Sequence, residues 1–351
     1  MATETLNQIH RLPQSTYIDA LRFLPPLSAL DRYVVVASFN SDSDETSIQI
    51  HSLNPNNKTL ASISSFPSSS RITSLKIAQK SLQNPLIAAS TIAGSLHILF
   101  PNPIDASFDS EVSVPEKTLH LGPISCVDLQ DNGSGCVSVG EDGRVNLISV
   151  GESGLDYSRV FDSKGLVSYT ACRWASPTEF ATGGFGNSIQ WWDQRRPGVP
   201  VNQFKGNWSQ GATSGLVHSI DIHPSRKHTC LAGGSYGTVF AWDTRRSQQP
   251  IVLSGIDTGE TTPCISESDV WEVQYDTFMS ASSHSTISSE RVLPAMICSE
   301  DGILAVIKQG EEPTELLAEN CAINSFDIDR QYPSDVICSL EWEYITILTR
   351  A

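Results

Sequence analysis

Apolar residues along this chain fall into short alternating runs such as Val217-His-Ser-Ile-Asp-Ile222 and Ile323-Asn-Ser-Phe-Asp-Ile328, bounded by Gly, Pro, Asn, Asp or Ser. A period of two over about six residues predicts half-buried β-strands. No stretch of useful length repeats its apolar positions at a spacing of 3.6, so little helix is expected. Other runs are apolar at consecutive positions, notably Ile189-Gln-Trp-Trp192 and Val239-Phe-Ala-Trp242. Strands covered on both faces lose the alternation. Trp191, Trp192 and Trp242 are therefore expected to pack between layers.

These runs recur. Phe180-Ala-Thr-Gly-Gly-Phe-Gly-Asn-Ser-Ile-Gln-Trp-Trp-Asp193 and Cys230-Leu-Ala-Gly-Gly-Ser-Tyr-Gly-Thr-Val-Phe-Ala-Trp-Asp243 both read as strand, Gly-rich turn, strand and Trp-Asp. Weaker copies run from Ile87 to Leu99, Cys136 to Ile148 and Ile297 to Ile307, and all five align on a turn residue at Gly94, Gly143, Asn187, Gly237 or Gly302. Before the hairpins lie seven alternating segments: Tyr17 to Leu24, Ile72 to Ala78, Ile124 to Leu129, Tyr169 to Trp174, Val217 to Ile222, Val270 to Tyr275 and Ile323 to Ile328. Thr59 to Ile63, Thr118 to Leu121, Val201 to Phe204 and Ile251 to Leu253 are candidate fourth strands.

A period of 40 to 50 residues built of four strands, with Trp-Asp endings, predicts an all-β, seven-bladed WD-repeat β-propeller of antiparallel blades. Residues 1–351 are expected to form one such unit, with 276–290 as a Ser-rich loop insertion. The last repeat holds only three strands, and an open array would expose two sheet edges. Leu6 to Leu12, which has no partner of its own, is expected to supply the missing strand and close the last blade.

Composition narrows the function. With 23 Lys and Arg against 39 Asp and Glu, the formal charge is -16, which disfavours a surface that must neutralise phosphates. Direct nucleic-acid binding is not expected. The basic runs are pairs only: Arg195-Arg196, Arg226-Lys227 and Arg245-Arg246. No window is apolar for long enough to insert in a membrane, and Met1 to His10 lacks the pattern of a signal peptide. The sequons at Asn57, Asn132 and Asn207 are accordingly read as unused. The eight cysteines contain no C-x-x-C pair and are read as reduced core residues.

Candidate chemistry is sparse. Gly233-Gly-Ser-Tyr-Gly237 spells G-x-S-x-G, but the nucleophile elbow needs a helix after the turn and a strand follows here. Along an alternating strand His218 points away from Asp221 and His223, so the three are not expected to share a metal. No catalytic residue, cofactor, metal or small-molecule substrate is expected. His120, Ser138 and Asp142 occupy the positions of the buried hydrogen-bond relay of a WD blade, with Ile148 where the relay has Trp. Asp193 with Arg195 and Asp243 with Arg245 form two W-D-x-R sequences, which read either as rim pairs or as the adaptor contact of a substrate receptor in a cullin-based ubiquitin ligase.

The segments Leu216 to Pro224, Leu231 to Arg245, Asp269 to Tyr275 and Cys298 to Gly302, with Ile323 to Ile328, resemble the small WD-repeat nucleoporins of the Y-shaped outer-ring complex of the nuclear pore, in a plant form. The resemblance is most specific from Val167 to Gly302. It implies a non-enzymatic scaffold at the nuclear envelope that docks on a helical-solenoid nucleoporin of that complex and supports pore assembly, nucleocytoplasmic transport and messenger-RNA export. The ligase receptor is the alternative.

Overall fold

The computed structural model describes residues 7–27, 31–81, 84–151, 154–185, 188–205, 215–245, 250–254, 265–278 and 292–351. Asn187, Asn207, Cys264 and most of the Ser-rich segment 276–290 lie outside them. Among the described residues, strands form seven four-stranded antiparallel sheets, and helix is confined to residues 277–278. The inner strands are Tyr17–Leu24, Ile72–Ser81, Ile124–Leu129, Tyr169–Trp174, Val217–Ile222, Val270–Tyr275 and Ile323–Ile328. They define blades one to seven. Each touches the next around the ring, and the seventh touches the first.

The core is a set of interblade layers. One cluster of buried apolar side chains fills each of the seven gaps between neighbouring blades. This arrangement explains the unbroken apolar runs: Trp192 packs in the gap between blades three and four, and its neighbour Trp191 faces the gap between four and five, where Trp242 also lies. Trp192 stacks on Phe180 with ring centroids 6.1 Å apart. Its indole N–H donates to Thr182 Oγ1 over 2.9 Å, so the one polar atom of a buried side chain is satisfied.

Closure follows the predicted route. Gln8–Pro13 pairs with Tyr344–Thr349 from Gln8↔Thr349 to Pro13↔Tyr344 and completes blade seven. Ile18, Leu21 and Val34 of blade one then pack on Ile337, Ile345 and Ile347 of blade seven. Buried charge reinforces the same seam. The Arg32 guanidinium bonds Asp329 and lies 2.7 Å from Asp335, which also takes Lys58 Nζ at 2.7 Å and Thr349 Oγ1 at 2.6 Å. Arg350 pairs with fully buried Asp276 at 2.6 Å and ties the C-terminal strand to blade six.

One expected strand is misplaced. The outer strand of blade two is Phe108–Val114, and Thr118 to Leu121 is the link to blade three, where Leu119 and His120 are fully buried. An outer strand covers the blade with one face only, so Phe108–Val114 carries Asp, Ser and Glu on the other, and its polarity hid it.

Because the strands are antiparallel, the turns between second and third strands and the links between blades share one face of the disc, here called upper. The remaining loops form the lower face. Every inner strand carries a bulge near its upper end. The residues left out of the pairing are Asp19, Thr73, Ser125, Thr170, His218, Trp271 and Asn324, and all seven line the mouth of the central channel.

Candidate interaction surface

The relay residues meet. Asp142 Oδ1 lies 2.9 Å from His120 Nδ1, and Ser138 Oγ lies 3.0 Å from His120 Nε2. Asn146 Nδ2 donates to the same Nε2 at 3.0 Å, a member that the sequence reading missed. A carboxylate can only accept, so Nδ1 carries the proton and Nε2 accepts from Ser138 and Asn146. Asp142 Oδ2 also accepts the Leu121 N–H at 2.8 Å. Burial works to raise the Asp142 pKa, but the bonds from His120 and Leu121 outweigh it and hold the carboxyl below its usual range. Gly143, at φ +76°, closes this turn. A Cβ there would stand 1.8 Å from Ser163 Oγ and 2.4 Å from Val167 O, so only glycine lets the turn press under the link.

The two W-D-x-R sequences are built alike on the lower face. Arg195 Nη2 lies 2.7 Å from Asp193 Oδ2, and Asp193 Oδ1 accepts the Arg195 backbone N–H at 3.0 Å. Arg245 repeats both contacts with Asp243 at 2.8 and 3.0 Å. Hydrogen bonds from Arg195 bring the Asp193 pKa down to about 2. Each arginine thus staples its own turn.

The remaining candidates separate. Gly233-Gly-Ser-Tyr-Gly237 is a hairpin turn, followed by the strand Val239–Asp243, and Ser235 Oγ accepts the Leu216 N–H at 3.1 Å. The bulge at His218, which simple alternation does not foresee, turns its ring onto Trp271 and its Nε2 to within 2.9 Å of Asp269. Asp221 Oδ2 instead accepts the Tyr275 N–H at 2.8 Å, and His223 Nδ1 accepts the N–H groups of Ser225 and Arg226.

Asp221 belongs to a set that the sequence reading overlooked. Asp128 accepts the Trp174 N–H at 2.7 Å and Asp327 accepts the Phe23 N–H at 2.7 Å, so three equivalent aspartates each stitch one inner strand to the next. Their signal is legible in Cys126-Val-Asp-Leu129, Ser219-Ile-Asp-Ile222 and Ser325-Phe-Asp-Ile328. Across the channel Arg22 Nη2 reaches Glu272 Oε1 at 2.6 Å. Burial pushes the Glu272 pKa up, yet Arg22, Lys76 and the Phe326 N–H together hold it below its ordinary value.

The channel is therefore polar and small, with a cavity of about 130 Å³ at its mouth. A second, open pocket of about 320 Å³ lies on the upper face between Tyr17, Arg71, Asn324 and Glu341. Around both, the turns and links expose Ile92, Leu121, Leu166, Phe185, Tyr236 and Trp342. The lower face exposes Ile104, Val199, Val201 and Tyr332 and holds Arg195, Arg196, Arg226, Lys227 and Arg245. Loops on a rigid scaffold are where binding residues concentrate, so these two faces are the surfaces available for a partner.

No family model matches the chain. It is 54% identical to the nuclear pore complex protein NUP43 of Arabidopsis thaliana, over 98% of this chain and 98% of that protein. Nucleoporin Nup43 of Mus musculus is 25% identical over 55% of this chain and 49% of its own length, and nucleoporin Nup43 of Homo sapiens is 24% identical over the same shares.

Proposed function

The chain belongs to the family of the nuclear pore protein NUP43 and is a scaffold nucleoporin of the nuclear pore complex; on that premise we propose that it works without catalysis, by docking on a helical-solenoid nucleoporin of the Y-shaped outer-ring complex. In that role it supports pore assembly, nucleocytoplasmic transport and messenger-RNA export. The observation that carries this reading is similarity across 98% of the chain, joined to a closed ring whose inner strands are tied to one another by Arg22–Glu272 and by Asp128 and Asp221. A disc of this kind holds its surface loops in fixed relation, which lowers the ordering cost of docking.

A fluorescent fusion expressed in Arabidopsis cells tests it. The expected signal is a nuclear rim, and affinity purification recovers other nucleoporins. Diffuse nucleoplasmic fluorescence would overturn the reading. So would recovery of a ligase adaptor, lost on Arg195→Ala or Arg245→Ala, with no pore protein present.

A further inference from the structure

We infer that the upper face is the docking surface and that its occupant is a basic amphipathic helix of another pore protein; this deepens the proposed function and rests on it. The first reason is the shape of the apolar surface. Leu121, Leu166, Phe185 and Trp342 are 66%, 89%, 59% and 62% exposed, and all four stand on turns or links of this one face. Their backbones are fixed from below. The turn residue donates its N–H to the link at Ile92→Arg71 (2.9 Å), Phe185→Ser168 (3.0 Å), Ser235→Leu216 (3.0 Å), Glu300→Asp269 (2.9 Å) and Glu341→Ala322 (3.0 Å). Of the four knobs Phe185 makes this bond itself and Trp342 follows Glu341, while the Leu121 N–H is held by Asp142 Oδ2 at 2.8 Å and the Leu166 N–H by Ser163 O at 3.2 Å, so little order remains to be imposed on binding.

The second reason is charge. Among the described residues, Glu141, Glu267, Glu300, Glu341 and Glu343 on this face have no ion-pair partner. Arg71 and Arg144 on this face are already engaged, with Asp19 at 2.5 Å and Asp162 at 3.2 Å, and among the described residues Lys117, Lys164 and, in the channel mouth, Lys76 have no ion-pair partner. The lower face also has acids without an ion pair among the described residues, Asp105, Asp131, Glu179, Glu312 and Glu315, but it carries many more cations, including Arg196, Lys227, Lys308 and Arg330. Asp193, Asp243, Asp276, Asp329 and Asp335 each hold an arginine. Much of the acidity of the chain is thus left unneutralised on the same face that displays its apolar knobs.

A partner must then bring cationic groups flanking an apolar ridge. Nucleic acid brings the opposite charge. An added strand would need an open sheet edge, but turns and links cap the upper ends of the blades. A helix with apolar residues at i, i+3 and i+7 and Lys or Arg on its flanks satisfies both demands.

Site-directed photo-crosslinking in the full-length protein tests this in cells. Benzoylphenylalanine is placed at Leu166, Phe185 or Trp342 on the upper face, and at Ile104 or Val199 on the lower, and the cross-linked peptides are identified. The upper positions are expected to capture a Lys- or Arg-bearing helical segment of a pore protein. Joint reversal by Glu141→Lys, Glu267→Lys and Glu341→Lys is expected to cut that yield about tenfold, with unchanged melting. Capture of pore proteins from Ile104 and Val199 alone, or a yield unmoved by the reversal in a folded variant, would overturn the inference and leave the proposed function standing. Capture of no pore protein from either face would overturn both.

Discussion

His120 shows what a single side chain contributes here. It is fully buried, and both ring nitrogens are engaged, Nδ1 with Asp142 and Nε2 with Ser138 and Asn146. Asp142→Ala strands the buried Nδ1 proton and is expected to cost about 1–3 kcal/mol in denaturant unfolding. Ser138→Ala is expected to cost less, because Asn146 still donates to Nε2; equal losses would contradict the relay geometry. The folded Asp142 carboxyl titrates below its ordinary value near 3.8, so the native state binds fewer protons than the unfolded one. Its contribution is present above about pH 4, is lost as pH falls through the depressed value, and disappears from the acid limb in Asp142→Asn. The relay positions His120, Ser138 and Asp142 were legible in the sequence because they stand, around the turn at Gly143, where a WD blade places its relay. Asn146 was not, since an Asn on a strand carries no mark of where it points. Cys126 offers a further check. A hydrogen bond from the Cys172 thiol, aided by Lys76, lowers its pKa to about 6, while burial pushes Cys230 up to about 12. Iodoacetamide at neutral pH, read by peptide mass spectrometry, is expected to label Cys126 ahead of Cys230, with a rate that rises through pH 6. A rate rising only above pH 8 would contradict this.

Among the elements, the strand Gln8–Pro13 carries the most weight for its length. It has no sheet partner other than Tyr344–Thr349, and without it that strand becomes an open edge. Deleting residues 1–13 is expected to lower the melting temperature markedly and to promote self-association, measured by calorimetry and light scattering; unchanged melting would exclude this closure. The charge cluster at the same seam is expected to matter as much. Arg32→Ala leaves Asp329 and Asp335 buried without their arginine, and removal of one partner from such a pair costs about 3–5 kcal/mol. The alternating inner strands could be read from the sequence because they express burial as a period of two, and the closing strand because the last repeat lacks a fourth strand while Leu6 to Leu12 has no partner of its own. The outer strand Phe108–Val114 and the seven bulges could not. The first is polar on its exposed face, and a bulge is one unpaired residue that leaves the hydrophobic pattern on either side intact.

At the scale of the molecule, seven interblade layers and three inter-strand aspartates make neighbouring blades depend on one another. Each blade alone would expose both of its apolar faces, so the blades gain their stability only as a closed set. The excess of acidic over basic groups on the upper face could not be read from the sequence, because it arises only when turns distant along the chain are gathered at one end of the strands. The central claim is that the ring is closed and cooperative. Native-state hydrogen exchange tests it most directly, through the amides of Ile9 to Leu12 and Ile345 to Leu348. The account predicts that they exchange with the same opening free energy as those of the inner strands Ile124–Leu129 and Val217–Ile222; rapid exchange in the terminal strands while the inner strands stay protected would contradict it.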